Sequence, residues 1–230
     1  CHVVASKEPK FRGTVETLQS EEKKRREKSA MLHGKPAAGP VYALMRSADQ
    51  LIVRRDKNLR TVMAGYPWFT DWGRDTFISI FGLCYATGRL DVAREIILAF
   101  SKYVSQGMVP NHFPDTGQDP CYNTVDASLW YILAVQGYWK ETQDTRFLHE
   151  GVWQTCMDII RAYREGTRYN IRLDTDGLIF AGAPGVALTW MDAKAGNWVV
   201  TPRIGKPVEI QALWYSALRA MSEMSGSLHM

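Results

Sequence analysis

Three stretches of the chain concentrate side chains suited to a polar, uncharged ligand. Residues 61–75 bring Tyr66, Trp68, Phe69, Asp71, Trp72, Arg74 and Asp75. Residues 107–124 bring Asn111, His112, Phe113, Asp115, Asp119, Tyr122 and Asn123, with Asp126 just beyond. Residues 171–207 bring Asp174, Asp176, Trp190, Asp192, Lys194, Asn197, Trp198, Arg203 and Lys206, with Glu209 just beyond. Aromatic rings stack on the C–H faces of pyranoses, and planar Asp, Asn and Arg groups pair with vicinal hydroxyls. A protonated carboxylic acid can deliver its proton to a glycosidic oxygen. Carbohydrate chemistry is therefore the expectation. Phosphate and metal chemistry fit less well, because the chain has no glycine-rich phosphate cradle and His112 is a lone histidine in a loop, more often a structural hydrogen bonder than a ligand.

Several of these residues have plainer explanations. Asp75 and Asp126 stand at helix starts, where an aspartate satisfies free backbone N–H groups and favours the helix dipole. The "DTDG" of residues 174–177 makes a good hairpin turn, and no glutamate follows at the spacing of a calcium loop. Asp192 is harder to explain in this way, since "TWMDAKAGNW" is neither a cap before a periodic helix nor a tight turn.

The elements that must position these groups are helical from Val41 onward. Residues 77–87 are apolar nearly all round, whereas 90–104 carry Leu90, Ala93, Ile97, Phe100 and Val104 on one stripe. The pair repeats in 127–139, apolar all round, and in 147–164, with Val152, Cys156, Ile159 and Tyr163 on a stripe. Residues 208–222 are again mostly apolar. Alternation of enclosed and amphipathic helices predicts an all-α toroid of helical hairpins, and the three long loops, each leading into an enclosed helix, should then gather at one end. Loops of this length are functional or disordered, and these are too rich in aromatics to be disordered.

The totals restrict the remaining classes. Residues 1–60 hold 14 Lys/Arg against 7 Asp/Glu, an excess of +7, while the remainder carries −3. Much of the excess lies in "EEKKRREK" at 21–28, where acids mixed in at helical spacing and no aromatic platform predict a solvated helix face and no nucleic-acid partner. The charged helix should run from Thr17 to Leu32 and break at "HGKPAAGP", residues 33–40, behind an extended "CHVVAS". The longest nearly apolar run, 127–139, is shorter than the roughly 20 residues of a membrane span. No secretory signal is visible, and Cys1, Cys84, Cys121 and Cys156 are too widely spaced for a metal knuckle or a disulfide framework. Buried free thiols in a reducing cytoplasm are expected.

The blocks "AGYPWFTDWGRDTFIS", "GMVPNHFPD", "YNTVDASLWY", "DGLIFAG" and "LTWMDAKAGNWVVTPRIGKPVEIQALWYSAL" closely resemble the C-terminal, amylo-α-1,6-glucosidase domain of glycogen debranching enzymes. The resemblance covers residues 40–220. Residues 1–40 resemble the end of the preceding β-rich domain and its linking helix in bacterial and archaeal members, leaving 41–230 as the N-terminal part of the glycosidase barrel. It implies a glucoamylase-like (α/α)6 toroid that needs no cofactor and hydrolyses, with inversion, the single glucose left at an α-1,6 branch point of glycogen or a branched α-glucan oligosaccharide. By the same resemblance Arg74 and Asp75 match a pair that holds the nonreducing glucose, and Asp192 matches the general acid. Glu209 and Trp214 match a block lining the glucose pocket. Asp71, Trp68, Trp72, Asn123, Asp126, Trp130, Trp190, Arg203 and Lys206 are expected around it.

The sequence departs from the family in one respect. An inverting enzyme needs a second carboxylate roughly 6.5–9.5 Å from the acid, as base on a water. The family takes it from a glutamate well after the "VEIQALWY" helix, beyond the "SEMSGSLHM" at which this sequence stops, with Glu209 the less favoured substitute. The expectation is a truncated barrel of about half the helices, weak or inactive alone, with apolar helix faces exposed. Another inverting glycosidase of this architecture, resembling a glucoamylase or trehalase, and a noncatalytic glucan-binding fragment are the alternatives.

Overall fold

The structure, a computed structural model, describes residues 14–32, 35–56, 59–113 and 119–228. The "CHVVAS" segment, Cys1 and Asp115 lie outside these residues. The chain divides into two compact units, 1–51 and 52–230.

In the first unit, helix α1 (Val15–Ser29) starts where Thr14 accepts the Thr17 amide with its hydroxyl at 3.3 Å, and it buries no residue. Its charges pair locally, as the spacing predicted: Glu22 takes both Arg25 and Arg26, three and four residues on. Two short antiparallel strands, β1 (Met31–Leu32) and β2 (Lys35–Pro36), interrupt the helical path before α2 (Gly39–Leu51). Asp49 of α2 binds Arg25 at 2.9 Å, joining the two helices.

The second unit opens with a feature the sequence reading missed. Strands β3 (Ile52–Asp56), β4 (Leu59–Gly65) and β5 (Phe69–Asp71) form a three-stranded antiparallel sheet in the order β3-β4-β5. Its β-branched positions Ile52 and Val62, and Val53 and Thr61, sit in register. The stretch 61–75 is thus a strand pair with a short turn, and not a long loop.

Helices dominate the rest: α3 (Gly73–Ile80, continuing as a π-turn through Tyr85), α4 (Leu90–Ser101), α5 (Ala127–Thr142), the single turn α6 (Thr145–Phe147), α7 (Trp153–Glu165) and α8 (Val208–Ser227). Helix α5 is the centre of the packing and contacts α3, α4, α7 and α8. Phe77 of α3 meets Phe100 of α4 and Tyr131 of α5 edge-to-face, with ring centroids 4.8 and 5.2 Å apart. Such aromatic pairs add about 0.5–1.5 kcal/mol each beyond the area they bury. Gly137 lets α5 and the π-turn approach closely, since a Cβ there would lie 2.7 Å from the Tyr85 ring. The predicted stripe of α4 is buried at Ala93, Ile97 and Phe100, and that of α7 at Cys156, Ile159 and Tyr163. The chain is therefore mostly helical. Helices α3 and α8, expected to be enclosed, are covered on one side alone: Ile78 and Phe81 of α3 and Val208, Tyr215 and Leu218 of α8 remain exposed.

Two further pairs of two-residue strands complete the sheet structure among the described residues. Strands β6 (Arg172–Leu173) and β7 (Ile179–Phe180) pair around the predicted "DTDG" turn, and β8 (Lys194–Ala195) pairs with β9 (Trp198–Val199). Among the described residues no helix is long and apolar enough to cross a membrane. Cys84 and Cys156 are buried free thiols, and burial pushes the Cys84 thiol up to about 12. Cys121 is exposed, so the expectation of buried thiols fails there: it belongs to a surface segment whose backbone bonds to Asn111 and His112.

Candidate functional site

Arg74 is the hub. It enters α3 one residue after Gly73, whose amide donates to the Asn111 carbonyl at 2.8 Å. A Cβ at Gly73 would fall 2.1 Å from the Pro110 carbonyl oxygen, so only glycine brings this helix start against residues 110–111. From there the Arg74 guanidinium, 6% exposed, reaches two other segments. Nε donates to both carboxylate oxygens of Asp126 at 2.8 Å, and Nη1 donates to Asp192 Oδ2 at 2.8 Å.

Asp126 immediately precedes α5 but makes no capping hydrogen bond with its side chain. That task falls to Thr124, whose Oγ1 accepts the Ala127 amide at 3.3 Å while its hydroxyl donates to Asp126 Oδ1 at 2.5 Å. Asp126 is thereby freed to face Arg74. A buried guanidinium and a buried carboxylate (2% exposed) each compensate the desolvation of the other. Asp75 follows in the first turn of α3 with its carboxyl half-buried. Burial pushes Asp75 upward, the Arg74 charge opposes this, and the charges of Asp192 and Asp126 reinforce it. Four predicted residues, Arg74, Asp75, Asp126 and Asp192, thus form one electrostatic cluster drawn from three segments.

The segment carrying Asp192 is pinned along its length. Val125 donates its amide to the Leu188 carbonyl at 2.8 Å, and Thr189 Oγ1 accepts both the Met191 amide and Arg203 Nη1 at 3.3 Å. Arg203 also clamps both oxygens of Glu209, the Nη2 contact being 2.8 Å. Glu209 lies in the first turn of α8, where the helix dipole suits a carboxylate. The Arg203 hydrogen bonds hold its carboxyl below the usual range, with a smaller contribution from Trp190. Trp190, Arg203 and Glu209 form a second cluster, tied to the first through residues 189–192. Thr124 and Thr189, which hold the two clusters in place, went unmarked in the sequence, although each lies within three residues of a predicted aspartate.

The other predicted residues are placed differently. Lys206 binds Asp174 and Asp176 at 2.7 Å, so its ammonium braces the β6–β7 turn. Trp214 is 6% exposed and lies parallel to Tyr163 at 6.3 Å, within the core. Asp71 is 3% exposed and lines an internal cavity of about 30 Å³ with Arg60, Thr61, Phe100 and Phe113, room for water and none for a sugar ring. Trp68 is 84% exposed and Trp190 58%. Trp72 stands between Phe69 and His112, 6.4 and 5.2 Å away. His112 contributes its backbone to bridges with Trp72 and Cys121. Trp130 and Asn123 are half-buried. Among the described residues no three His, Cys, Asp or Glu side chains gather in a way that could hold a metal ion.

The family model described as amylo-alpha-1,6-glucosidase matches residues 46–229, which takes in every residue of both clusters. The glycogen debranching enzyme of Saccharomyces cerevisiae is 30% identical over 227 residues, an alignment covering 73% of this chain and 15% of the yeast protein. The chain therefore spans a small part of that relative's length. With the match extending over nearly the whole helical unit, the chain belongs to the amylo-alpha-1,6-glucosidase family of glycoside hydrolases.

Proposed function

We propose that this domain takes part in glycogen debranching by hydrolysing, with inversion, the α-1,6-linked glucose at a branch point, with Asp192 as general acid. The observation that carries the proposal is the contact between Arg74 and Asp192. Arg74 Nη1 occupies Asp192 Oδ2, and among the described residues no hydrogen bond is made to Oδ1. Asp192 is thus oriented by one oxygen while the other can carry a proton to the glycosidic oxygen, the geometry general acid catalysis requires. Asp75, exposed on one side and crowded by like charges, is suited to accept hydrogen bonds from sugar hydroxyls, which relieve its loss of water. Trp68 and Trp190 offer exposed rings on which a pyranose can stack.

Glu209 is a poor choice for the base. Both of its oxygens are held by Arg203 and its carboxyl is lowered, so it cannot readily accept a proton from water. We assign Glu209 to positioning Trp190 and Thr189, and assign the base to a carboxylate outside this chain's two clusters. By this assignment the chain alone turns over weakly or not at all. The succession of α3, α5 and α8 as packed neighbours, with α4 and α7 against α5, supports a helical toroid of the (α/α)6 kind. Helix α1, with no buried residue, is assigned to the link from a preceding β-rich domain, and the cytoplasm, where glycogen lies, to the site of action.

The test is release of glucose from a singly branched maltooligosaccharide, by this chain and by a version extended at its C-terminus. Glucose released first as the β-anomer supports the proposal; no release by either protein ends it. Comparison with α-1,4-linked substrates and trehalose separates it from a glucoamylase- or trehalase-like specificity.

A further inference from the structure

An open groove of about 590 Å³ lies along the segment that leads through Asn123 to Thr124 of the Arg74 cluster. It is lined by Ser105, Asp119, Tyr122, Asn123, Arg168 and Tyr169. We propose that this groove binds a linear segment of α-1,4-glucan, with Tyr169 as the stacking platform and Asn123 as a hydrogen-bonding partner. The proposal rests on the glucosidase assignment for its choice of ligand, because the groove would hold the chain that carries or adjoins the branch.

One wall is built rigidly. The Arg168 guanidinium lies over the Tyr122 ring at 4.4 Å and donates to the Ser105 carbonyl and hydroxyl, each at 3.0 Å. Tyr122 in turn donates its hydroxyl to the Tyr103 carbonyl at 2.7 Å. The cation of the groove is thereby committed to protein, which disfavours an anionic ligand. A single carboxylate, Asp119, is likewise too little for a metal ion.

The opposite side is held in an unfavourable conformation. Tyr169 has φ 59° and ψ 31°, and Asn170 follows with φ 58°. Two successive non-glycine residues in the left-handed region carry backbone strain, and such strain concentrates at ligand sites. The turn is locked from outside: Gly182 donates its amide to the Tyr169 carbonyl at 2.9 Å and Asn170 Nδ2 donates to the Gly182 carbonyl at 3.0 Å. Among the described residues neither the Tyr169 hydroxyl nor the Asn123 amide makes a side-chain hydrogen bond. Half-buried rings, amides and hydroxyls without partners are what a neutral polyol can use. Asn123 precedes Thr124, whose hydroxyl binds Asp126, so a glucan in the groove would run up to the Arg74 cluster.

The experiment is calorimetric titration of the full chain with maltohexaose, which contains no α-1,6 bond. Tyr169→Asn removes the ring and keeps a residue tolerant of the left-handed conformation; Asn123→Ala removes the amide. Each should weaken binding about five- to tenfold without lowering the unfolding midpoint, while Tyr169→Phe should retain most of the affinity. Equal affinity in wild type, Tyr169→Asn and Asn123→Ala, or no binding of maltohexaose by the wild type, overturns the groove. Neither outcome touches the glucosidase assignment, which stands or falls on glucose release by the extended protein.

Discussion

Arg74 joins Asp126 to Asp192 although the two aspartates lie 66 positions apart in the sequence, holding the first with Nε and the second with Nη1, all at 2.8 Å. The two ends of this bridge differ in exposure. The Asp126 side chain is 4% exposed and that of Asp192 31%. Arg74→Met would leave the Asp126 carboxylate buried without a counter-charge, a change that costs about 3–5 kcal/mol in comparable buried pairs. Pairing it with Asp126→Leu should recover much of the loss, since no charge is then stranded. Asp192→Asn, at the wetter end, should cost under about 1 kcal/mol. Urea unfolding of the four proteins checks this, and a double variant less stable than Arg74→Met alone would refute the asymmetry.

Asp75 should make the domain less stable as pH rises. Its folded carboxyl is pushed above the ordinary aspartate value, mainly by burial. The folded state therefore holds its proton more tightly than the unfolded chain does. Below the unfolded value both states are protonated and nothing is lost; as pH rises through the folded value, ionisation costs the folded state more. Asp75→Asn should match wild type near pH 3.8 and become progressively more stable than wild type towards neutrality. Unfolding midpoints across that window test the sign, and a variant less stable at pH 7 contradicts it.

Thiol reactivity should separate the cysteines. Cys121 is exposed, whereas Cys84 and Cys156 are buried with thiols raised by loss of solvation. Thiolate is the reactive species, so an alkylating agent on the native protein should label the peptide holding Cys121 and spare those holding Cys84 and Cys156 until denaturant is added. Peptide mass mapping reads the result directly, and native labelling of Cys156 would contradict the packing of α7.

What could be read in advance follows the range of the interactions. Helices α4 and α7 are local periodicities of 3.6, and their buried faces were legible in Ala93, Ile97, Phe100, Cys156 and Ile159. The three-stranded sheet was missed because its strands flank a conspicuous aromatic and glycine-rich stretch, and pairing of Ile52 with Val62 is not a local property. The site shows the same division. Residue types announced a polar ligand site, but Asp126 could as well have been a cap, and only the fold shows Thr124 capping α5 in its place. Lys206 was grouped with the sugar-facing residues by its neighbours in sequence, whereas its partners lie 30 residues away in a turn.

Turnover should depend on Asp192 in a way that separates catalysis from glucan binding. In the C-terminally extended protein Asp192→Asn keeps a side-chain oxygen able to accept from Arg74 Nη1, so the local geometry survives while the transferable proton is gone. Glucose release should fall by at least about 10²-fold, the lower end of what general acid catalysis contributes, with maltohexaose affinity unchanged. In the wild-type extended protein kcat/KM should be bell-shaped in pH, with an alkaline limb where the general acid loses its proton and an acid limb where the base gains one. Glu209→Gln should act differently, because both Glu209 oxygens are engaged by Arg203 in support of residues 189–192. It should lower activity through a misplaced acid and leave both limbs of the profile in place. Loss of the acid limb in Glu209→Gln would instead make Glu209 the base and overturn the role assigned to the Arg203 clamp.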